Sequence, residues 1–422
     1  MSLVTPEPTV NFDAAIVGAG PAGAVLALAL ARAGLSVAIL DAEPLDTRLA
    51  ETFDGRAWAI AHGNMLQLRA LGVAEALEAD GQAVSAIVVT EGERPSAAGR
   101  SPRPGFLRFD AAEIGDETGG APVALMVENR RFRATMNQAL EAAGVTAFAP
   151  AQVEAVEPGP ASARVKLTNG RELTARVAVA ADGKASRLRT AAGIGVNGWS
   201  YGQMGVVGTV ALSAPHGGVA HEFFMAGSAL AVLPLTEQRA SLVWVEPKAR
   251  GEALLAASPE AFEAHLNRRL GETLGPARLV APRFGYPLGL QIAEQMTSDR
   301  LALVGDAAHS IHPIAGQGLN LGMKDAAALA EVLSDAKRCG EDIGSTVVLD
   351  RYARWRRMDR AAFAWATDFF VRVYGSDTPL LKVARNAVTG AMNRMTPVKR
   401  FMMLEAAGFA GDTPRLLRGE AL

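Results

Sequence analysis

Residues 12–17 form a short apolar run with one acid near its start, the length and composition of a buried strand. Pro21–Ala33 follows, rich in Ala and Leu, and reads as a helix that Gly34 breaks. Leu35–Leu40 is a second apolar run, so the chain opens as a βαβ unit with a parallel sheet. Leucine spacing predicts a helix over Asn64–Glu78, and another runs from Asn129 to about Ala143. Glu91–Gly105, rich in Pro, Ser, Arg and Gly, reads as a loop. Short alternating strands are expected at Ala151–Val156, Ala163–Leu167 and Val177–Ala180. After Gly195 the pattern changes. Gly205–Leu212, His221–Phe224, Ala229–Leu233 and Ala240–Val245 alternate between turn residues and predict an antiparallel sheet in a second domain. Leu301–Val304 returns to the first sheet, and from Leu319 the pattern is helical almost to the end.

The turn after the first strand is Gly18-Ala19-Gly20-Pro21-Ala22-Gly23, a G-x-G-x-x-G that opens a helix. Gly18 permits the tight turn, Gly20 lets a pyrophosphate approach the backbone, and Gly23 lets helix and strand pack closely. The helix N-terminus offers free N–H groups to phosphate. Asp41, followed by Ala42, ends the second strand, where an acid holds a ribose 2′-OH. Glycine spacing alone does not separate FAD from NAD.

Two later segments make that choice. Asp182-Gly183 follows the strand Arg176–Ala181 and resembles the Asp-Gly motif of single-component flavoprotein hydroxylases; Gly305-Asp306 ends Leu301–Val304 and resembles their Gly-Asp motif. There Gly305 lets the chain turn, and Asp306 is placed to accept from ribityl hydroxyls. His312-Pro313-Ile314-Ala315-Gly316-Gln317-Gly318-Leu319-Asn320-Leu321-Gly322 is similar to the signature of the FAD-dependent monooxygenases of ubiquinone biosynthesis, within the p-hydroxybenzoate-hydroxylase-like class A enzymes. The resemblance is most specific at 301–325 and spans nearly the whole chain. Asp54–Ile60, with Arg56 as a cofactor contact, Glu128-Asn129-Arg130 near the adenosine or ribityl region, Ser241–Trp244, and Pro397–Arg400 with Ala407-Gly408 all agree with it.

The resemblance implies an α/β fold: a Rossmann-like FAD-binding domain (1–80, 125–194 and 295–335), a substrate domain with a mixed antiparallel sheet (81–124 and 195–294), and a C-terminal helical region (336–422). It implies that Pro313 lines the flavin face and that the N–H groups of Gly318, Leu319 and Asn320 lie by the pyrimidine edge of the ring, with Gly316 at the turn before them. A helix N-terminus there stabilises the negative charge of reduced flavin. Gln317 and Asn320 are candidates to bond the ring or its ribityl chain. The expected reaction has NAD(P)H reduce FAD, O2 form a C4a-hydroperoxide, and its distal oxygen pass to the electron-rich ring of a prenylated phenol or quinone precursor. No second glycine motif has its own βαβ unit, so NAD(P)H is expected in a groove near Asp182-Gly183.

Composition narrows the alternatives. With 422 residues, two or three domains are expected. Net charge is −2, which gives no global attraction to nucleic acid. The lone cysteine, Cys339, excludes an intramolecular disulfide and cysteine-based metal centres within one chain, and fits a reducing cytoplasm. The six histidines show no metal spacing, so no metal site is expected. His309 and His312 lie beside the signature; they either polarise the ring or a substrate phenol, or hold the loop through backbone hydrogen bonds, the favoured reading. Trp244, Phe223, Phe224 and Met225 either line a prenyl pocket or form core. No signal peptide and no membrane span is expected. Lys382, Arg385, Arg394, Lys399 and Arg400 lie among apolar residues, which leaves open a peripheral contact with the inner membrane and with other ubiquinone-biosynthesis proteins; a homo-oligomer is also open. The rival functions are a soluble phenol or benzoate hydroxylase, an isoprenoid reductase or halogenase on the same scaffold, and a non-catalytic flavin-binding scaffold subunit. A halogenase is disfavoured because Trp244-Val-Glu-Pro lacks a Trp-x-Trp-x-Ile-Pro pattern.

Overall fold

The computed structural model describes residues 11–49, 55–91, 107–225, 227–271, 274–313, 316–375, 395–408 and 411–422. Asp54, nearly all of the Glu91–Gly105 loop, Ile314, Ala315, Lys382, Arg385 and Arg394 lie outside them.

The opening strand, Asn11–Val17, is the hub of an eight-stranded sheet. It pairs in parallel with Val37–Leu40 on one side and Glu172–Ala180 on the other. Leu301–Leu303 adds in parallel beyond Glu172–Ala180, and Thr146–Phe148 beyond Val37–Leu40. Strands buried on both faces read as unbroken apolar runs, which is why Ala14–Val17 and Val37–Leu40 lack alternation. Pro21–Arg32 and the 22-residue helix Gln317–Arg338 pack against each other beside this sheet, and their Ala and Leu side chains join the largest core cluster.

The second sheet has nine strands, in the order His309–Ser310, Phe284–Ala293, Val196–Leu212, Arg239–Pro247, Ser228–Leu235, Val219–Met225, Ala86–Glu91 and Leu107–Asp110, with Ala277–Leu279 pairing off Val196–Leu212. It is antiparallel except where Val219–Met225 runs parallel to Ala86–Glu91. One face packs on the helices Lys248–Ala256 and Pro259–Leu270, through Val206, Phe223, Leu230, Trp244, Phe262 and Leu266. A small third sheet, Ala57–Ala61, Ala124–Glu128 and Gln82–Val84, packs against the other face.

One expectation needs correction, and two open points are settled. Asn64–Glu78 is two helices, His62–Ala70 and Ala74–Asp80, because Gly72 takes a φ of +73° between them. After Pro247, a stretch for which the sequence pattern gave no element, the chain is helical; Ser258 caps Pro259–Leu270 by accepting from Ala261 N. Phe223 and Trp244 are core on the helix-covered face, with Trp244 donating to Glu246 Oε1 at 3.0 Å, so they line no pocket on the opposite face.

Candidate active site

The glycine loop is built by close backbone approach. Gly18 has a φ of +109°, and a Cβ there would lie 2.2 Å from Ala181 O. A Cβ on Gly23 would lie 2.1 Å from Gly18 O. Both positions are closed to any side chain. Gly20 differs: its backbone is extended and nothing lies within 4 Å of an added Cβ. It is therefore a glycine that protein packing does not require, at the mouth of a helix with Pro21 at its first turn and no side-chain cap. The fold leaves both room and N–H donors for an anion there.

Asp41 is buried and binds the loop itself. Its Oδ2 accepts from Ala19 N at 2.8 Å and its Oδ1 from Glu43 N at 3.0 Å. The acid expected to hold a ribose thus also fixes the glycine turn, while Ala42 beside it is exposed. Arg133, which the sequence reading missed, reaches the same turn: it donates to Ala19 O at 3.1 Å and to Asn129 Oδ1 at 3.2 Å. Asn129 Oδ1 also accepts from Trp58 Nε1 at 2.9 Å, tying the Arg56–Trp58 segment to the loop. Arg130 faces Glu128, which pairs with Arg239 at 3.0 Å. No local motif marks Arg133; only its place one turn after Asn129 on the helix Asn129–Ala142 does.

The Asp-Gly and Gly-Asp segments meet beside the loop. Asp182 Oδ2 accepts from Arg187 N at 2.9 Å, while its Oδ1 is buried without a partner. Gly183 takes a φ of +83°. Arg189, in the same short helix, donates to Ala307 O at 2.9 Å and so fixes the Gly-Asp turn. A Cβ on Gly305 would lie 3.1 Å from that of Ala22, so turn and helix are in close contact. Solvent reaches the Asp306 side chain although protein surrounds it, the condition of a residue at the floor of a cleft. Burial raises its carboxyl, and His309, Arg56 and Lys184 pull it back down. Arg56 lies over the rings of Trp58 and Tyr286, 5.4 Å from each centroid. Asp306, Arg56 and Lys184 are therefore charged neighbours in one cleft; Lys184 was not among the predicted site residues.

The signature closes this cleft. Gly316 takes a φ of +63° and caps Gln317–Arg338, whose N-terminus has no side-chain cap. Gly318 and Leu319 lie in the uncapped first turn. The Asn320 side chain is bonded within the chain. Its Oδ1 accepts from Ala61 N at 2.9 Å and Asn64 Nδ2 at 2.8 Å, and its Nδ2 donates to Ala59 O at 2.9 Å. It fastens the helix to the Ala57–Ala61 strand. Gln317 is half-buried at the same end of the helix, and Pro313 immediately precedes the undescribed pair 314–315.

His309 is held by a carboxylate, not by the backbone: its Nε2 lies 2.6 Å from Asp325 Oδ2, with both groups buried. Asp325 also accepts from Gly305 N at 3.1 Å and pairs with Arg356 Nε at 2.7 Å. Burial works to raise the Asp325 carboxyl, but His309 and Arg356 hold it below the usual range. His312 is buried edge-on to Tyr201, and burial lowers it to about 4, so it is neutral at pH 7. Lys399 and Arg400 are engaged with Glu113 and Glu117, which removes them from any free basic face. A groove of about 610 Å³ lined by Glu294, Asp350, Arg354, Arg357 and Arg360 contains none of the predicted site residues.

Among the described residues no helix is long and apolar enough to cross a membrane. A family model for an FAD binding domain matches residues 11–367. The chain is 39% identical over 414 residues to the ubiquinone hydroxylase UbiL of Rhodospirillum rubrum, covering 97% of this chain and 93% of that protein. It is 33% identical over 408 residues to the 3-demethoxyubiquinol 3-hydroxylase of Escherichia coli, covering 96% and 100%. Of solved structures, the p-nitrophenol 4-monooxygenase PnpA of Pseudomonas putida DLL-E4 shares the fold, with a TM-score of 0.77 at 21% identity over 94% of this chain and 98% of that one. Matched along nearly its whole length, the chain belongs to the FAD-binding family that includes the ubiquinone ring hydroxylases, and it is an FAD-dependent monooxygenase.

Proposed function

We propose that this chain hydroxylates the aromatic ring of a prenylated phenol in ubiquinone biosynthesis, using O2 and NAD(P)H. The observation that carries this reading is the meeting of the three cofactor segments in one cleft, facing an apolar sheet. Bound FAD, reduced by NAD(P)H, supplies the activation of O2 and the delivery of one oxygen atom. The chain's own residues do the rest. Gly20 and the uncapped N-terminus of Pro21–Arg32 fit the pyrophosphate, with Gly18 and Gly23 shaping the turn. Asp306 fits the ribityl hydroxyls, with Arg56 and Lys184 beside it. Asp41, Ala42, Arg130, Asp182 and Gly183 are assigned to the cofactor's remaining edges. Pro313, Gly316, Gln317, Gly318, Leu319 and Asn320 are assigned to the flavin ring, where the helix N-terminus stabilises negative charge.

In this reading residues 1–80, 125–194 and 295–335 hold FAD, 81–124 and 195–294 hold substrate, and 336–422 close the molecule. An apolar sheet face suits a prenylated ring and keeps water from the reacting atoms. Exposed Phe369 and Phe401 on the C-terminal helices, and Met395 just before Thr396–Ala406, are available for peripheral membrane contact.

The test is the visible spectrum of the purified protein, followed by NADPH with and without a short-chain prenylphenol. Flavin bands should bleach with NADPH, faster with the prenylphenol, and hydroxylated product should accumulate as O2 is consumed. NADPH oxidation without product would leave a reductase or a scaffold subunit. Product from hydroxybenzoate but not from prenylphenol would favour the soluble hydroxylase.

A further inference from the structure

Strand Val219–Met225 points Ala220, Glu222 and Phe224 to the sheet face away from the packed helices. Ala220 packs with Ala57 and Ala59 of the third sheet. Ala59 in turn accepts from Asn320, and a Cβ on Gly316 would lie 3.5 Å from that of Ala59. This face is therefore the one turned toward the signature. Glu222 stands about 7 Å further along the strand, between the cluster containing Ala220 and the cluster formed by Phe224, Val89 and Leu107.

Its row across the sheet is Val89, Glu222, Ala231, Val243 and Val207, set by the strand register. Glu222 is the one polar side chain in that row, and the alanine beside it leaves space. Arg108 and Asp110 on Leu107–Asp110, and His221 on the same strand as Glu222, belong to rows on the opposite face, and Glu91, the partner of Phe224, carries the same charge as Glu222. Arg239 lies on the same face but at its far end, paired with Glu128. Tyr201, from the adjoining end of Val196–Leu212, donates to Asp368. Among the described residues none offers Glu222 a hydrogen bond or a counter-charge. Burial alone pushes its carboxyl up to about 7, while solvent still touches part of the side chain. That combination describes a group inside a narrow cleft.

A carboxyl enclosed by apolar neighbours without a partner is destabilising unless a ligand satisfies it. We propose that Glu222 is the substrate-orienting residue: it hydrogen-bonds a hydroxyl on the aromatic ring and so sets which ring carbon is presented for oxygen transfer. This rests on the ring-hydroxylase reading above. An uncharged hydroxyl suits the site because no second protein charge stands there to balance an ionic ligand. The same carboxyl accepts from the hydroxyl when ionised and donates to it when protonated.

The experiment compares wild type, E222Q and E222A, each loaded with FAD. Dissociation constants for a short-chain prenylphenol and its methyl ether are read from the perturbation of flavin absorption. Turnover, product position, FAD content and thermal unfolding are measured alongside. Wild type should bind the phenol about 10- to 100-fold more tightly than the ether. In E222A that ratio should fall to within about threefold, with E222Q between, and hydroxylation should become less selective in position. FAD content and melting temperature should not fall, because the lost group has no partner among the described residues. An E222A protein that still prefers the phenol as wild type does overturns the proposal. So does a uniform loss of affinity for both ligands together with lowered FAD content, the mark of a structural role. Wild-type protein that bleaches with NADPH yet forms no hydroxylated product overturns the hydroxylase reading, and this one with it.

Discussion

Asp325 Oδ2 lies 2.6 Å from His309 Nε2 and 3.1 Å from Gly305 N, so one buried carboxylate on the helix after the signature holds the Gly-Asp turn in place. Its other oxygen pairs with Arg356 at 2.7 Å, and Arg356 reaches Asp359, which also binds Lys324 at 2.6 Å. Removing one partner leaves a buried charge uncompensated. Asp325→Ala should therefore cost about 3–5 kcal/mol of stability, read from urea unfolding at pH 7. Because the folded carboxyl is held below its unfolded value, this contribution is present above about pH 4 and lost as pH falls through the folded pKa. A variant as stable as wild type at pH 7 would show that the cluster does not brace the turn.

The loop glycines should separate by phenotype. Gly20→Val has open space and an extended backbone, so the protein should fold, with wild-type circular dichroism, and purify colourless. Gly23→Val puts a side chain onto Gly18 O and should lose at least 1–3 kcal/mol or so of stability. A yellow Gly20→Val protein would mean that the pyrophosphate lies elsewhere.

That contrast shows what sequence could and could not reveal. Gly18, Gly23, Gly305 and Gly316 answer backbone demands that glycine meets, so they are legible residue by residue, whereas Asp306 stood out through the resemblance. Arg133 reaches Ala19 across 114 positions, and Asn320 reaches Ala61 across 259; such pairings depend on how strands and helices pack, which periodicity does not encode. The bonds that engage the Asn320 side chain with Ala59, Ala61 and Asn64 could not be foreseen for this reason. The helix break at Gly72 and the start at Ser258-Pro259 were different. A left-handed glycine and a Ser-Pro cap stood in the sequence; the leucine spacing was read through the first, and no element was read at the second. Glu222 carries no mark in the sequence beyond its place in the strand His221–Phe224; its row on the sheet singles it out.

Asp306 accepts no hydrogen bond from the described chain, so Asp306→Ala should leave unfolding nearly unchanged. FAD affinity should fall about 10- to 100-fold if the carboxylate binds ribityl hydroxyls. FAD titration of the stripped protein, followed by flavin fluorescence, measures this. Unchanged affinity would remove Asp306 from the cofactor site.

His312 gives a pH dependence of opposite origin to that of a bound carboxylate. Burial lowers it to about 4 from an ordinary 6.5, so the folded state keeps it neutral while the unfolded chain takes up a proton. A depressed pKa contributes stability that is full above the unfolded value and is lost as pH falls toward the folded one. Between pH 7 and pH 5 this single group should remove about 2 kcal/mol. His312→Asn cannot take up that proton, so its unfolding free energy should change less than that of wild type over the same interval. His221, also lowered to about 4 by burial and by Arg108, is intact in both proteins and cancels in the comparison. Equal pH slopes for wild type and His312→Asn in urea titrations would place a water or a charged partner beside the ring, and would return His312 to the list of groups able to polarise a substrate phenol.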